Sequence, residues 1–113
     1  MRLFLLLFLA LSSFSSFARL DTTCHTWPMN MAKIWLQDKK IVNEDELNED
    51  RTQFKLLASE TMKNAQYTDV YLFSFFDKTG KEYDVITQNI SSDEECSISD
   101  VNIYMVSGFK MSY

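Results

Sequence analysis

Val70-Tyr71-Leu72-Phe73-Ser74-Phe75-Phe76-Asp77-Lys78-Thr79-Gly80-Lys81-Glu82-Tyr83-Asp84-Val85-Ile86 is the stretch on which the fold of this chain turns. Residues 70–76 are dense in β-branched and aromatic side chains, Asp77 to Gly80 has turn chemistry, and Lys81 to Gln88 returns as a second strand. Pairing decides the register. A three-residue loop ending with Gly80 in the left-handed conformation sets Phe75 opposite Tyr83 and Phe73 opposite Val85. A four-residue loop would place those aromatics opposite Glu82 and Asp84 instead. The first choice keeps apolar with apolar. It makes Tyr71, Phe73, Phe75, Tyr83 and Val85 one face, the core, and leaves Leu72, Phe76, Glu82, Asp84 and Ile86 on the other.

Upstream of the hairpin the spacing is helical. Thr26-Trp27-Pro28 reads as a helix start, with Thr26 as cap and Pro28 in the first turn, where its missing N–H has no helical partner to lose. Met31, Ala32, Trp35 and Leu36 then form an apolar stripe, and the helix runs to about Lys40, with Lys39 and Lys40 suited to the negative end of its dipole. A second helix is expected from Asn43 or Asn48 to about Asn64. Its first turns hold Glu44, Asp45, Glu46, Glu49 and Asp50, and Leu47, Phe54, Leu57, Ala58, Thr61 and Ala65 are its buried stripe. Downstream of the hairpin, Asn89 to Ser99 is a polar loop and Val101 to Val106 a third strand. Phe109 to Tyr113 alternates as a fourth strand or as a continuation past a bulge. The expected class is α+β, one or two N-terminal helices packed on a three- to four-stranded antiparallel sheet, a layer of the cystatin-like or NTF2-like kind.

The first eighteen of the 113 residues read differently. Arg2, the apolar run Leu3 to Leu11 and the small residues around Ser16-Phe17-Ala18 have the pattern of a cleaved secretory signal. The apolar run is too short for the roughly 20 residues that cross a bilayer, so stable membrane insertion after cleavage is not expected. Residues 19–113 are then a single small α+β domain, secreted or periplasmic. All 16 acidic residues lie in that part with ten of the eleven basic ones, for a formal charge of −6. That balance repels phosphate backbones and offers no basic stripe, so nucleic acid is an unsuitable partner. It suits a basic protein partner. Cys24 and Cys96 are the only cysteines, and an even count in an oxidising compartment favours a disulfide between them. Closing so long a loop is worth about 4 kcal/mol in the chain-entropy model.

Cys24-His25 is the one Cys-His neighbour pair and His25 the sole histidine, so no nucleophile-base pair, zinc site or other catalytic or metal-binding set is expected. Residues 43–50 and Asp93-Glu94-Glu95 are rich in oxygen ligands but lack the spacing and glycine of a calcium loop; charge at a helix start is the plainer account. No two of the acids stand out as a glycosidase pair. Asn89-Ile90-Ser91 fits the N-glycosylation acceptor. Val70, Leu72, Phe76 and Ile86 form an apolar patch on the second sheet face, a partner-binding or self-association site unless a helix covers it.

Cys24 just before a helix, a Trp-bearing first helical segment, a hairpin around Lys78-Thr79-Gly80-Lys81 followed by Tyr83, and Cys96 before a late strand together resemble the layout of the colicin M immunity protein family. These are small exported α/β proteins with one disulfide. The resemblance implies an immunity-type inhibitor and assigns no particular binding residue. The leading expectation is therefore an exported protein-binding domain rather than an enzyme, needing no cofactor, with homo-oligomers open to it through the sheet. The competing expectation is a small-ligand carrier whose aromatic pocket is built from Tyr71, Phe73, Phe75 and Tyr83.

Overall fold

The structure, a computed structural model, describes residues 22–106. The secretory signal at 1–18 and the strand expected at Phe109 to Tyr113 lie outside the described residues. One helix, α1 (Thr26–Asp38), packs on a four-stranded antiparallel sheet of β1 (Gln53–Thr61), β2 (Gln66–Phe76), β3 (Glu82–Ser92) and β4 (Asn102–Met105), ordered β1-β2-β3-β4. This is an α+β layer with neighbouring strands joined in sequence.

A 3-10 turn at Thr23–His25 leads into α1, and His25 holds the capping position in a helical conformation with no side-chain cap. Thr26 is inside the helix and does not cap it, a correction that follows from the turn of Thr23–His25 already winding the chain. Pro28, Ala32, Lys33 and Leu36 are the buried residues of α1, while Met31 and Trp35 flank them at intermediate exposure. Lys33 is thus part of the buried stripe. The helix ends in a left-handed closure: Lys40 has φ 60°, its N–H donates to Gln37 O at 3.0 Å, and Ile41 N–H donates to Leu36 O at 3.0 Å. These bonds satisfy carbonyls that the last turn would otherwise leave open.

The second helix does not form. Residues 44–46 and 49–51 are short 3-10 turns, and Gln53–Thr61 is an edge strand paired with β2. Leu47 is buried in a bridge to Asp77, fixed by Asn48 N–H to Phe76 O at 2.7 Å and Lys78 N–H to Glu46 O at 3.0 Å. The physical reason lies at Leu57. Leu56 pairs with Tyr71 and Ala58 with Val70, so Leu57 is the extra residue of a β-bulge. A bulge shifts the alternation by one residue, and the resulting apolar run Leu56-Leu57-Ala58 imitates a helical face. Upstream of it Gln53-Phe54-Lys55-Leu56 alternates as a strand does. β1 is thus a strand where the sequence reading expected a helix.

The β2–β3 hairpin has the expected register, with Phe73 opposite Val85 and Phe75 opposite Tyr83. Asp77 N–H donates to Lys81 O at 2.9 Å, leaving Lys78 to Gly80 as a three-residue loop, and Gly80 takes φ 93°, open to glycine at no steric cost. Tyr71, Phe73, Phe75, Tyr83 and Val85 form the core with Ala32, Leu36, Val42 and Leu47, and Leu56, Ile103 and Met105 pack around it. The rings run along β2 as a ladder, Tyr71 to Phe73 at 5.6 Å and Phe73 to Phe75 at 6.0 Å between centroids. Cys24, beside the start of α1, is disulfide-bonded to Cys96 in the β3–β4 loop with 5.0 Å between their Cα atoms.

Candidate binding surfaces

Strand parity divides the sheet into two unlike faces. On the packed face Tyr71, Phe73, Phe75 and Tyr83 are at most 5% exposed, and the space above them is filled by Ala32, Leu36, Val42 and Leu47. All four residues expected for an aromatic pocket are thus gathered together, as core.

On the other face Val70, Leu72, Phe76 and Ile86 share one side, each at intermediate exposure. The α-helix lies on the opposite face, and no helix among the described residues covers this one. Leu72 is opposite Ile86, Ile86 is opposite Tyr104, and Lys55 borders the row from β1. Tyr104 is 54% exposed, so a continuous apolar row crosses β2, β3 and β4. The sequence reading missed Tyr104; its parity relative to Ile86 becomes visible only once β4 is in register. At one end of the face the Arg51 guanidinium lies 4.4 Å from the centre of the Phe76 ring, a cation–π contact. Glu82 and Asp84 follow on β3. Their side-chain hydrogen bond and the removal of water raise the Glu82 pKa, mutual repulsion adds to this, and Arg51 opposes it.

The turn of the hairpin is held by Asp77. Its Oδ1 accepts from Thr79 Oγ1 at 2.5 Å, Thr79 N–H at 2.9 Å and Lys81 N–H at 3.0 Å, while Oδ2 accepts from Tyr83 Oη at 3.1 Å. The Thr79 hydroxyl is the largest cause holding its pKa down at about 2; burial works against it, and the other donors add to the lowering.

Towards the far end of the packed face the core becomes polar. Asp69 is 4% exposed and accepts from Ser59 Oγ at 2.7 Å and from Ser91 Oγ at 2.5 Å. Asn89 Nδ2 donates to Cys96 O and Ser97 Oγ, both at 3.1 Å, and Ile90 N–H donates to Ser99 Oγ at 2.8 Å. The disulfide loop is thereby seated on β3 by the Asn89 side chain and the Ile90 backbone. Asn89 is 3% exposed, so the acceptor nitrogen of the glycosylation triplet is enclosed. Asp69 was legible in principle, because it shares the parity of Tyr71 and Phe73.

The remaining sequence candidates stay apart. Cys24 is in the disulfide, and the His25 ring stacks on Phe54 at 3.9 Å with Nδ1 against Thr22 O at 2.8 Å. Two of the acids after α1 have side-chain partners: Asn43 Nδ2 donates to Glu46 Oε1 at 3.0 Å, and Lys33 Nζ lies 2.9 Å from Glu49 Oε1. Among the described residues no group of three or more His, Cys, Asp or Glu side chains could hold a metal ion, and no helix is long and apolar enough to cross a membrane. No protein-family model, no curated protein and no solved structure matches the chain.

Proposed function

We propose that the protein is an exported binding domain that docks another protein on its open sheet face, through Val70, Leu72, Phe76, Ile86 and Tyr104. The observation that carries this reading is that apolar row on a face no described helix covers, bordered by Lys55, Arg51, Glu82 and Asp84. An apolar centre with a charged rim is the usual anatomy of a protein-binding surface. The disulfide is consistent with an oxidising compartment, where such a domain would meet its partner. An immunity-type inhibitor on a cystatin-like or NTF2-like layer is the specific form suggested by the sequence resemblance, and the acidic balance favours a basic partner. The packing of Tyr71, Phe73, Phe75 and Tyr83 under α1 favours this reading over a ligand carrier.

The test is recovery of partners by the exported chain in its own compartment, compared with Leu72→Asp and with Lys39→Ala, a residue on the far end of α1. A protein partner retained by Lys39→Ala and lost by folded Leu72→Asp supports the proposal. A partner that Leu72→Asp retains, or a small molecule that copurifies in place of a protein, overturns it.

A further inference from the structure

The two edges of the sheet are defended differently. β1 carries a bulge at Leu57 and the charged side chains of Lys55 and Glu60, devices that discourage pairing with another strand. β4 is Asn102-Ile103-Tyr104-Met105, with no charge, proline or bulge. We infer that β4 pairs antiparallel with β4 of a second copy of this chain, forming a two-fold dimer whose sheet runs on from four strands to eight.

The hydrogen-bond phase narrows the register. Val106 N–H donates to Asp84 O at 3.0 Å, so the residues of β4 bonded inward to β3 are those of the same parity, Tyr104 and Asn102. Ile103 and Met105 turn their N–H and C=O groups outward, and no described residue pairs with them. A two-fold axis at Tyr104 sets Ile103 of each copy opposite Met105 of the other, in the positions that exchange hydrogen bonds, and satisfies four of them. On the packed side this covers Ile103 with Met105, both half-buried. On the open side it brings Tyr104, 54% exposed, against its own copy and carries the row Leu72–Ile86–Tyr104 across the axis. Every juxtaposed pair in β4 is uncharged. A charged peptide would find no countercharge on this edge, whereas a second copy matches it residue for residue. The inference goes beyond the proposed binding function and does not depend on it.

A four-residue seam is small against the roughly 1,200 Å² of a standard interface, so the dimer forms reversibly with concentration. The formal charge of −6 on residues 19–113 opposes association, and salt therefore strengthens it. Sedimentation of the exported chain is the test, with Met105→Pro and Tyr104→Asp beside it. Met105→Pro removes an outward N–H and leaves the β3 pairing intact. The expected result is a mass that climbs from monomer towards dimer with concentration, sooner at high salt, with amide exchange at Ile103 and Met105 slowing in parallel. Both variants, folded by their near-ultraviolet spectra, stay monomeric; if Met105→Pro fails to fold, Tyr104→Asp and the exchange data carry the test. A monomer at every concentration to about 500 μM, the outcome if residues 107–113 occupy this edge, overturns the inference. So does a dimer that survives Tyr104→Asp and dissolves on Leu72→Asp, which would mean that the copies meet face to face.

Discussion

Lys33 Nζ lies 2.9 Å from Glu49 Oε1, and this ion pair ties the buried side of α1 to the turn that leads into β1. The two ends differ: the Lys33 side chain is 6% exposed and that of Glu49 60%. An ammonium in that position has few other means of offsetting its lost hydration. Glu49→Ala is predicted to cost about 1–2 kcal/mol, less than a fully buried pair because water reaches the carboxylate. Lys33→Met removes the charge and keeps the packing, and should be neutral or stabilising. Urea unfolding of both single variants and the double variant decides it; a Glu49→Ala that matches wild type while Lys33→Met unfolds would contradict the account.

Asp77 gives the hairpin an acid sensitivity. Its pKa is lowered from 3.8 to about 2, so the stability it contributes is present above 3.8 and is lost as pH falls through about 2. Asp77→Ala should melt at a lower temperature at pH 7 and respond less than wild type to acid between about pH 4 and 2. Equal melting temperatures at pH 7 would rule this out. Glu82 has the opposite sign: its raised pKa means stability present below its ordinary 4.5 and lost as pH rises through the folded value. Glu82→Gln is accordingly expected to raise the melting temperature at neutral pH and to leave it unchanged at pH 3.

Among the described residues, two hold left-handed backbone without being glycine or asparagine: Lys40 at φ 60° and Ala65 at φ 54°. That conformation costs a side-chain-bearing residue roughly 1–2 kcal/mol, part of which glycine returns through the entropy of the unfolded chain. Lys40→Gly and Ala65→Gly are each predicted to stabilise by about 0.5–1 kcal/mol, additively because they close different elements. Thermal melts of the two variants and their combination check this, and destabilisation by both would show that neither position is strained.

The parity of β2 can be read by alanine. Phe73 and Phe75 are fully enclosed, and replacing either with alanine should cost about 3–5 kcal/mol. Leu72→Ala, one residue away on the open face, should cost less than about 1 kcal/mol. Similar losses at both parities would mean that the open face is covered in solution.

Asn89 matches a glycosylation triplet, yet its Nδ2 is committed to Cys96 O and Ser97 Oγ. Secreted from a eukaryotic cell, the correctly folded, disulfide-bonded protein is predicted to have the mass of the bare chain. Any glycosylated fraction should be misfolded, since a sugar on that nitrogen unseats the Cys96 loop. A native, disulfide-bonded glycoform would refute this.

How much of this was legible follows from the physics of each element. The hairpin could be read residue by residue, because a strand alternates with period two and only one loop length pairs Phe75 with Tyr83. The 24–96 disulfide followed from the cysteine count, and α1 from a stripe of spacing near 3.6. β1 could not be read this way. It is an edge strand, exposed along most of its length, and the bulge at Leu57 breaks the alternation that marks strands, so its apolar residues fell into apparent helical spacing. The polar end of the core escaped for a different reason: Asp69 has the parity of the core face, but Asp69, Asn89 and Ser91 carry no apolar signal, and their enclosure depends on Ser59 of β1 and the Cys96 loop folding back onto the strands.

By itself, then, the sequence determined which side chains share a face of β2 and β3, since local stereochemistry sets that parity whatever else the chain does. Only the tertiary structure decided what each face meets. Among the described residues one α-helix formed rather than two, because residues 53–61 found backbone partners along β2, and a single helix covers a single face. The aromatic face became core, and the face of Leu72, Ile86 and Tyr104 was left open among the described residues.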